Sequence, residues 1–252
     1  MLLRCLPADA PRSRQQVLPP GGLLSFDAVL FDCDGVLVDS EPITNGVLRD
    51  MLEELGWVLT PAECMTQFVG KAVTDEAVLI EARTGVPLTA DWLATFRARR
   101  NDALHLRLLA IPNIHAAIPA IDLRYAGKIA CASGADRFKV ELQLQKVGLM
   151  DFFEGRVFSG HEMPRSKPAP DVYLAAAEAL GVDPRRCAVV EDTVTGVTAG
   201  VAAGATVFGY SPGGPGHSPA QALLAAGAVQ VFGDMAVLPA VLLGWPSERS
   251  PA

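Results

Sequence analysis

Two pairs of carboxylates in this sequence stand where they can hold a cation, and a serine and a lysine stand where they can hold an anion. The first pair, Asp32 and Asp34, lies in FDCDGVLVDSE (31–41), at the end of the apolar run Ala28-Val29-Leu30-Phe31. That run reads as a short buried strand, so alternation places both carboxylates on the same side of the chain. Adjacent carboxylates repel and stay ionised together only when a cation lies between them. Gly35 then lets the backbone turn sharply away. The second pair, Glu191 and Asp192, ends the run Ala188-Val189-Val190, and Thr193 and Gly196 keep the following turn small and polar. Ser133 follows Lys128-Ile129-Ala130-Cys131-Ala132 and is expected to open a helix running toward Val147. There its hydroxyl and the amides of Gly134 and Ala135 make an anion site. Lys167, in Ser166-Lys167-Pro168-Ala169-Pro170-Asp171, is held between short rigid segments. A serine at a helix start ordinarily just caps it, and a single loop lysine is ordinarily solvated. Together, however, all four features fall in order at strand ends, where open α/β sheets bind ligands.

Positioning those strand ends takes a buried sheet, and the composition supplies one. The chain has 252 residues, half of them hydrophobic and 19% charged, enough for one substantial α/β domain or a domain with an insertion. A formal net charge of −7 argues against unspecific binding to nucleic acid or an anionic membrane. No apolar run reaches the ~18 residues a membrane span needs; the longest, Ala236 to Trp245, is interrupted by Pro239. Cys5, Cys33, Cys64, Cys131 and Cys187 are scattered and contain no C-x-x-C, which fits a reduced, cytoplasmic setting. Pro7, Pro11, Pro19 and Pro20 break any period in residues 1–24, which read as a disordered extension.

Periodicity divides the rest. Val47, Leu48, Met51, Leu52 and Leu55 recur at helical spacing, and Thr60-Pro61-Ala62-Glu63 is a capping box with proline at the first helical position. Further helices are expected over 74–82 and 90–109, so residues 41–109 form an all-helical unit. Strand and helix then alternate: a strand at 128–132, a short one at 157–158, a helix at 171–180, a strand at 188–190, a helix at 194–203, and strands at 206–208 and 229–232. This is the pattern of a parallel sheet with crossover helices. The expected core is 25–40 plus 110–236, with 237–252 as a C-terminal tail.

The four motifs together, hhhhDxDGxLxDSE over 29–41, Ser133 after a strand, Lys167 in SKPAPDVY and VVEDTVTGV over 189–197, resemble those of the haloacid dehalogenase-like hydrolases. The likeness is to the phosphatase branch with a helical cap, including β-phosphoglucomutase-like and 6-phosphogluconate phosphatase-like proteins, over roughly residues 26–235. It implies a Rossmann-like parallel-sheet core with an inserted all-helical cap domain, and a Mg²⁺-dependent phosphomonoesterase. The substrate would be a small phosphorylated metabolite, a sugar or sugar-acid phosphate, and the protein a monomer or weak dimer. By the same resemblance Asp32 is the nucleophile that forms an aspartyl-phosphate. Asp34 is the general acid and then base, and Lys167 bridges nucleophile and phosphate. Ser133 and Gly134 bind the phosphoryl group. Mg²⁺, which prefers oxygen ligands, would be held by Asp32 and Asp192 through carboxylate, by Asp34 through its main-chain carbonyl, and by Glu191 directly or through water. Gly70 and Lys71 fall where related proteins place a substrate-specificity loop.

Other readings have less support. Cys131 and Arg137 make C-x5-R, the signature of cysteine-dependent phosphatases, but no Ser or Thr follows Arg137 and Asp32 would be left without a role. A phosphomutase of the β-phosphoglucomutase type shares the core motifs, but carries histidine twelve residues after the nucleophile, where this chain has Thr44. A dehalogenase needs no partner at Asp34. A non-enzymatic phosphate-binding protein would need neither Asp34 nor a helical insertion.

Overall fold

Six short apolar runs pair into one parallel sheet in the order β3-β2-β1-β4-β5-β6. In this computed structural model residues 25–214 and 216–246 are described, so the extension expected over 1–24 lies outside the described residues. The strands are β1 (Ala28–Phe31), β2 (Ile129–Ser133), β3 (Val157–Ser159), β4 (Cys187–Glu191), β5 (Thr206–Tyr210) and β6 (Gln230–Phe232). The central strands β1, β2 and β4 are buried along their whole length, as parallel strands covered on both faces must be.

Helices α1 (Glu41–Glu54), α2 (Pro61–Phe68), α3 (Ala77–Thr84) and α4 (Ala90–Arg107) all fall between β1 and β2. They enclose an apolar cluster of their own, including Leu48, Met51, Leu52, Phe68, Ile80 and Phe96. Helix α2 starts on the expected capping box, with the Thr60 side chain accepting from Glu63 N and Glu63 accepting from Thr60 N. The remaining helices are α5 (Ile114–Arg124), α6 (Arg137–Lys146), α7 (Met150–Phe153), α8 (Asp171–Ala179), α9 (Val194–Ala202), α10 (Ala220–Ala225) and α11 (Leu238–Gly244). Side-chain alternation along β1 sorts them. Val29 and Phe31 face a core shared with Ile118, Val140, Leu144 and Leu242. Ala28 and Leu30 face a second core with Tyr173, Ala176, Val197 and Leu223.

The chain winds from β1 outward through β2 and β3, then returns to place β4 on the other side of β1. A crevice opens at the carboxyl ends of strands where winding reverses. Here those ends carry Asp32 on one strand and Glu191-Asp192 on its neighbour.

Three local expectations change. Helix α6 begins at Arg137, not at Ser133: Asp136 caps it, its side chain accepting from Lys139 N at 2.9 Å. Strand β1 stops at Phe31, so strand alternation does not relate Asp32 to Asp34; a turn does, with Leu37 N donating to Cys33 O at 2.9 Å. The segment beyond 236, expected as a tail, carries α11, whose Leu238 and Leu242 are buried.

Helix α9 lies close over β4 and β5 because Gly200 has no side chain. A Cβ there would fall 2.7 Å from Val207 Cγ2 and 3.2 Å from Val189 Cγ1. Gly200→Ala should therefore destabilise the protein: overpacking costs about 1–3 kcal/mol, against a helix-propensity gain of at most about 1 kcal/mol. A thermal melt checks this, and an unchanged or raised melting temperature would show that α9 can shift outward freely.

Candidate active site

Asp32 follows the last residue of β1, and its amide donates to Val190 O of the neighbouring strand at 3.0 Å. Lys167 reaches it from the loop before α8. Its ammonium lies 2.6 Å from Asp32 Oδ1, 2.7 Å from Glu191 Oε1, 2.9 Å from Ala132 O and 3.0 Å from the Tyr173 hydroxyl. Tyr173 in turn donates to Glu191 Oε1 at 2.6 Å. Glu191 Oε2 accepts from Asp192 N, Thr193 N and Thr193 Oγ1, so both its oxygens are engaged. Asp34 is held separately. Lys139 Nζ (2.7 Å), Gln143 Nε2 (2.8 Å) and Ser40 Oγ all donate to its Oδ1.

The strand order, the buried Asp32–Lys167 pair and the acidic end of β4 form one constellation, and the haloacid dehalogenase-like hydrolase family matches residues 26–204. The chain belongs to that family. Among curated relatives, the 6-phosphogluconate phosphatase of Escherichia coli K12 is 31% identical over 195 residues, covering 77% of this chain and 86% of that protein. Hexitol phosphatase B of the same organism is 30% identical over 178 residues, covering 70% and 79%. Among solved structures, a haloacid dehalogenase-family hydrolase from Deinococcus radiodurans with bound phosphate and sodium is 36% identical, with a TM-score of 0.72 over 87% of this chain and 96% of that one. The chain is thus an enzyme, a hydrolase with phosphatases among its relatives.

In this member of the family, Asp32, Asp34, Ser133, Gly134, Lys167, Glu191, Gly70 and Lys71 all line one cavity of about 770 Å³. Ser133 is the last residue of β2, and its hydroxyl accepts from Ala135 N at 3.1 Å. Lys71 shares the cavity wall but is paired with Glu76 at 3.0 Å. Cys131 and Arg137 are not brought together: the thiol is buried within β2, and the guanidinium binds Glu162 at 2.6 Å and Glu141 at 3.4 Å.

Asp192 lies buried, and Gly35 is what lets the loop after β1 pass it. With φ at +80°, a Cβ on Gly35 would fall 2.2 Å from Asp192 Oδ2. Asp192 Oδ1 is buried with no hydrogen-bond partner among the described residues. Asp32, Glu191 and Asp192 offer oxygens within 4.8 Å of one another. An orphaned buried carboxylate oxygen in an all-oxygen cluster is what a hard divalent cation such as Mg²⁺ fits.

Several groups at the site carry no motif signal. Lys139 and Gln143 stand four apart on α6, whereas Tyr173 closes the SKPAPDVY segment that carries Lys167. His217 Nε2 bonds the Gly35 carbonyl at 3.1 Å, bracing the loop after β1 from the segment after β5.

These surroundings drive the carboxyls apart. Burial lifts Asp32 to about 7 against the pull of Lys167, with Glu191 and Asp34 adding like-charge repulsion. Burial and the nearby Asp34 charge lift Glu41 to about 7, and burial with Glu191 and Asp32 pushes Asp192 well up. Burial also opposes ionisation of Asp34, but the Lys139 charge and the hydrogen bonds from Lys139, Ser40 and Gln143 outweigh it and hold Asp34 at about 2.

Asp32 and Glu41 titrate near 7 in the folded chain and near ~4 when unfolded. Between those values the folded state keeps protons that the unfolded chain has released, so stability without metal falls as pH rises through this window. Thermal melts in EDTA should show that fall, and the rise in melting temperature caused by Mg²⁺ should grow across the same window. A flat EDTA profile would contradict the pKa assignment.

Proposed function

We propose that the chain is a Mg²⁺-dependent phosphomonoesterase that cleaves a small phosphorylated metabolite through an aspartyl-phosphate on Asp32. The observation that carries this is the division of the two aspartates between separate lysines: Asp32 with Lys167, Asp34 with Lys139. One carboxylate is thereby presented as a nucleophile and the other kept free of the phosphoryl group for proton transfer. The phosphatase names of the curated relatives support the reading.

The substrate phosphate would enter the cavity over Asp32, with Ser133 Oγ and the Gly134 amide holding phosphoryl oxygens. Lys167, together with a bound cation, would keep Asp32 ionised and offset the charge of the incoming dianion. Asp32 attacks phosphorus in line and the ester oxygen leaves as Asp34 supplies its proton. Water then hydrolyses the acyl phosphate, with Asp34 taking its proton back as base. In the geometry described Asp34 is ionised, the form the second half-reaction needs. The first half needs it protonated, so its side chain must turn away from Lys139 before the alcohol leaves.

Mg²⁺ would be held by the carboxylates of Asp32 and Asp192 and the main-chain carbonyl of Asp34, with Glu191 acting through water because both its oxygens are engaged. When bound, the ion neutralises the acidic cluster and the phosphate charge. The helices over 41–109 would act as a cap that closes the cavity and selects the leaving group. Hydrolysis is favoured over phosphoryl transfer within a sugar because Thr44, which lines the cavity, has no proton-shuttling side chain.

Phosphate release from a panel of phosphorylated metabolites is the direct test. Asp32→Asn should abolish turnover with the fold intact, and Asp34→Asn should lose at least ~10²-fold, the scale of a missing general acid. EDTA should remove activity and Mg²⁺ restore it. Full turnover by Asp32→Asn, or undiminished hydrolysis after chelation, would overturn the mechanism.

A further inference from the structure

One face of α4 looks into the cavity: Leu93, Phe96, Arg97 and Arg100 recur on its wall at helical spacing. Among the described residues, every other lysine or arginine lining the cavity is matched to an acid. Lys71 pairs with Glu76 at 3.0 Å, Arg100 with Asp136 at 3.0 Å, Lys139 with Asp34 at 2.7 Å, and Lys167 with Asp32 at 2.6 Å and Glu191 at 2.7 Å. Arg97 has no such partner among them. It is exposed on the helical insertion, whereas the groups proposed to bind phosphate stand on the sheet core.

The acids of the same wall narrow what Arg97 can take. Glu41, at the start of α1, and Asp75, in the turn before α3, line the cavity with no cation paired to them among the described residues. A second anionic group on the substrate finds no positive charge on those two segments and is drawn to α4. A further phosphate would bring about two negative charges, and the cavity offers a single uncommitted guanidinium among its described residues. A carboxylate brings one charge and matches the planar guanidinium fork with two parallel hydrogen bonds. We propose that Arg97 binds a carboxylate of the substrate, so that this enzyme selects sugar-acid phosphates over the corresponding polyol phosphates. The assignment rests on the phosphomonoesterase reading and names its substrate class.

The test uses p-nitrophenyl phosphate with Mg²⁺ as reporter, and D-gluconate 6-phosphate and D-glucitol 6-phosphate as competitors. The two competitors share chain length and phosphate and differ by a carboxylate against a hydroxymethyl group. The acid should inhibit at least ~10-fold more tightly than the alcohol, the scale of a charge-assisted hydrogen bond. Arg97→Gln should bring that ratio near one, and Arg97→Lys should keep part of it. Because the ratio is taken within each variant, a general loss of activity or stability does not move it. A wild-type ratio near one, a ratio unchanged by Arg97→Gln, or a collapse in Lys71→Ala instead would overturn the assignment. Absence of phosphate release in the wild type from p-nitrophenyl phosphate and from both sugar phosphates would refute the phosphatase reading itself.

Discussion

Lys167 makes the carboxylate cluster tolerable, and much of the surrounding fold serves to deliver it. Asp32, Glu191 and Asp192 offer oxygens within 4.8 Å of one another because β1 and β4 are adjacent and in register, Phe31 beside Val190. Such a group of buried acids repels itself. The ammonium of Lys167 stands between two of them, and although burial disfavours its charge, Asp32 and Glu191 hold its pKa well above the ordinary lysine range. Ala132 O and the Tyr173 hydroxyl complete its surroundings, so β2 and α8 help to fix its position. Removing one partner of such a buried group leaves charge uncompensated, at a cost of roughly 3–5 kcal/mol.

A second cation gives the two aspartates different surroundings. Asp32 and Asp34 are two residues apart, yet one is lifted to about 7 and the other held at about 2. The cause is directional. Lys139 comes from α6, on one face of the sheet, and Lys167 from the loop before α8, which packs on the other. What Lys167 leaves uncompensated is concentrated on Asp192, whose buried Oδ1 has no partner among the described residues.

Strand ends are legible in the sequence because a short apolar run stopped abruptly by acids fits a buried strand opening onto a polar site better than it fits a helix or a loop. Asp32, Asp34, Glu191 and Asp192 stand out on that basis, Ser133 by ending an apolar run, and Lys167 by the proline-rich segment that holds it. Lys139 does not, since a first-turn lysine beside Val140 looks like any amphipathic surface position until α6 is packed on the sheet. The start of α6 is not legible either, because both Ser133 and Asp136 are cap residues, and only the three-dimensional turn decides between them. Pro239 reads as a breaker of an apolar run, but in the first turn of α11 it costs no hydrogen bond and helps start the helix. Lys71 stands out by its place in a glycine turn, while its pairing with Glu76, and the lack of an acidic partner for Arg97 among the described residues, depend on how the 73–76 turn and α4 are placed.

The central claim is that phosphate passes through Asp32. Quenching the Mg²⁺-loaded protein during turnover and treating it with borohydride reduces an acyl phosphate to the alcohol, turning the modified aspartate into homoserine. Peptide mass spectrometry should find that change at Asp32, only when substrate was present, and not in Asp32→Asn. Steady turnover with no trapped residue, or trapping at Asp34, Asp192 or Cys131 instead, would contradict the account.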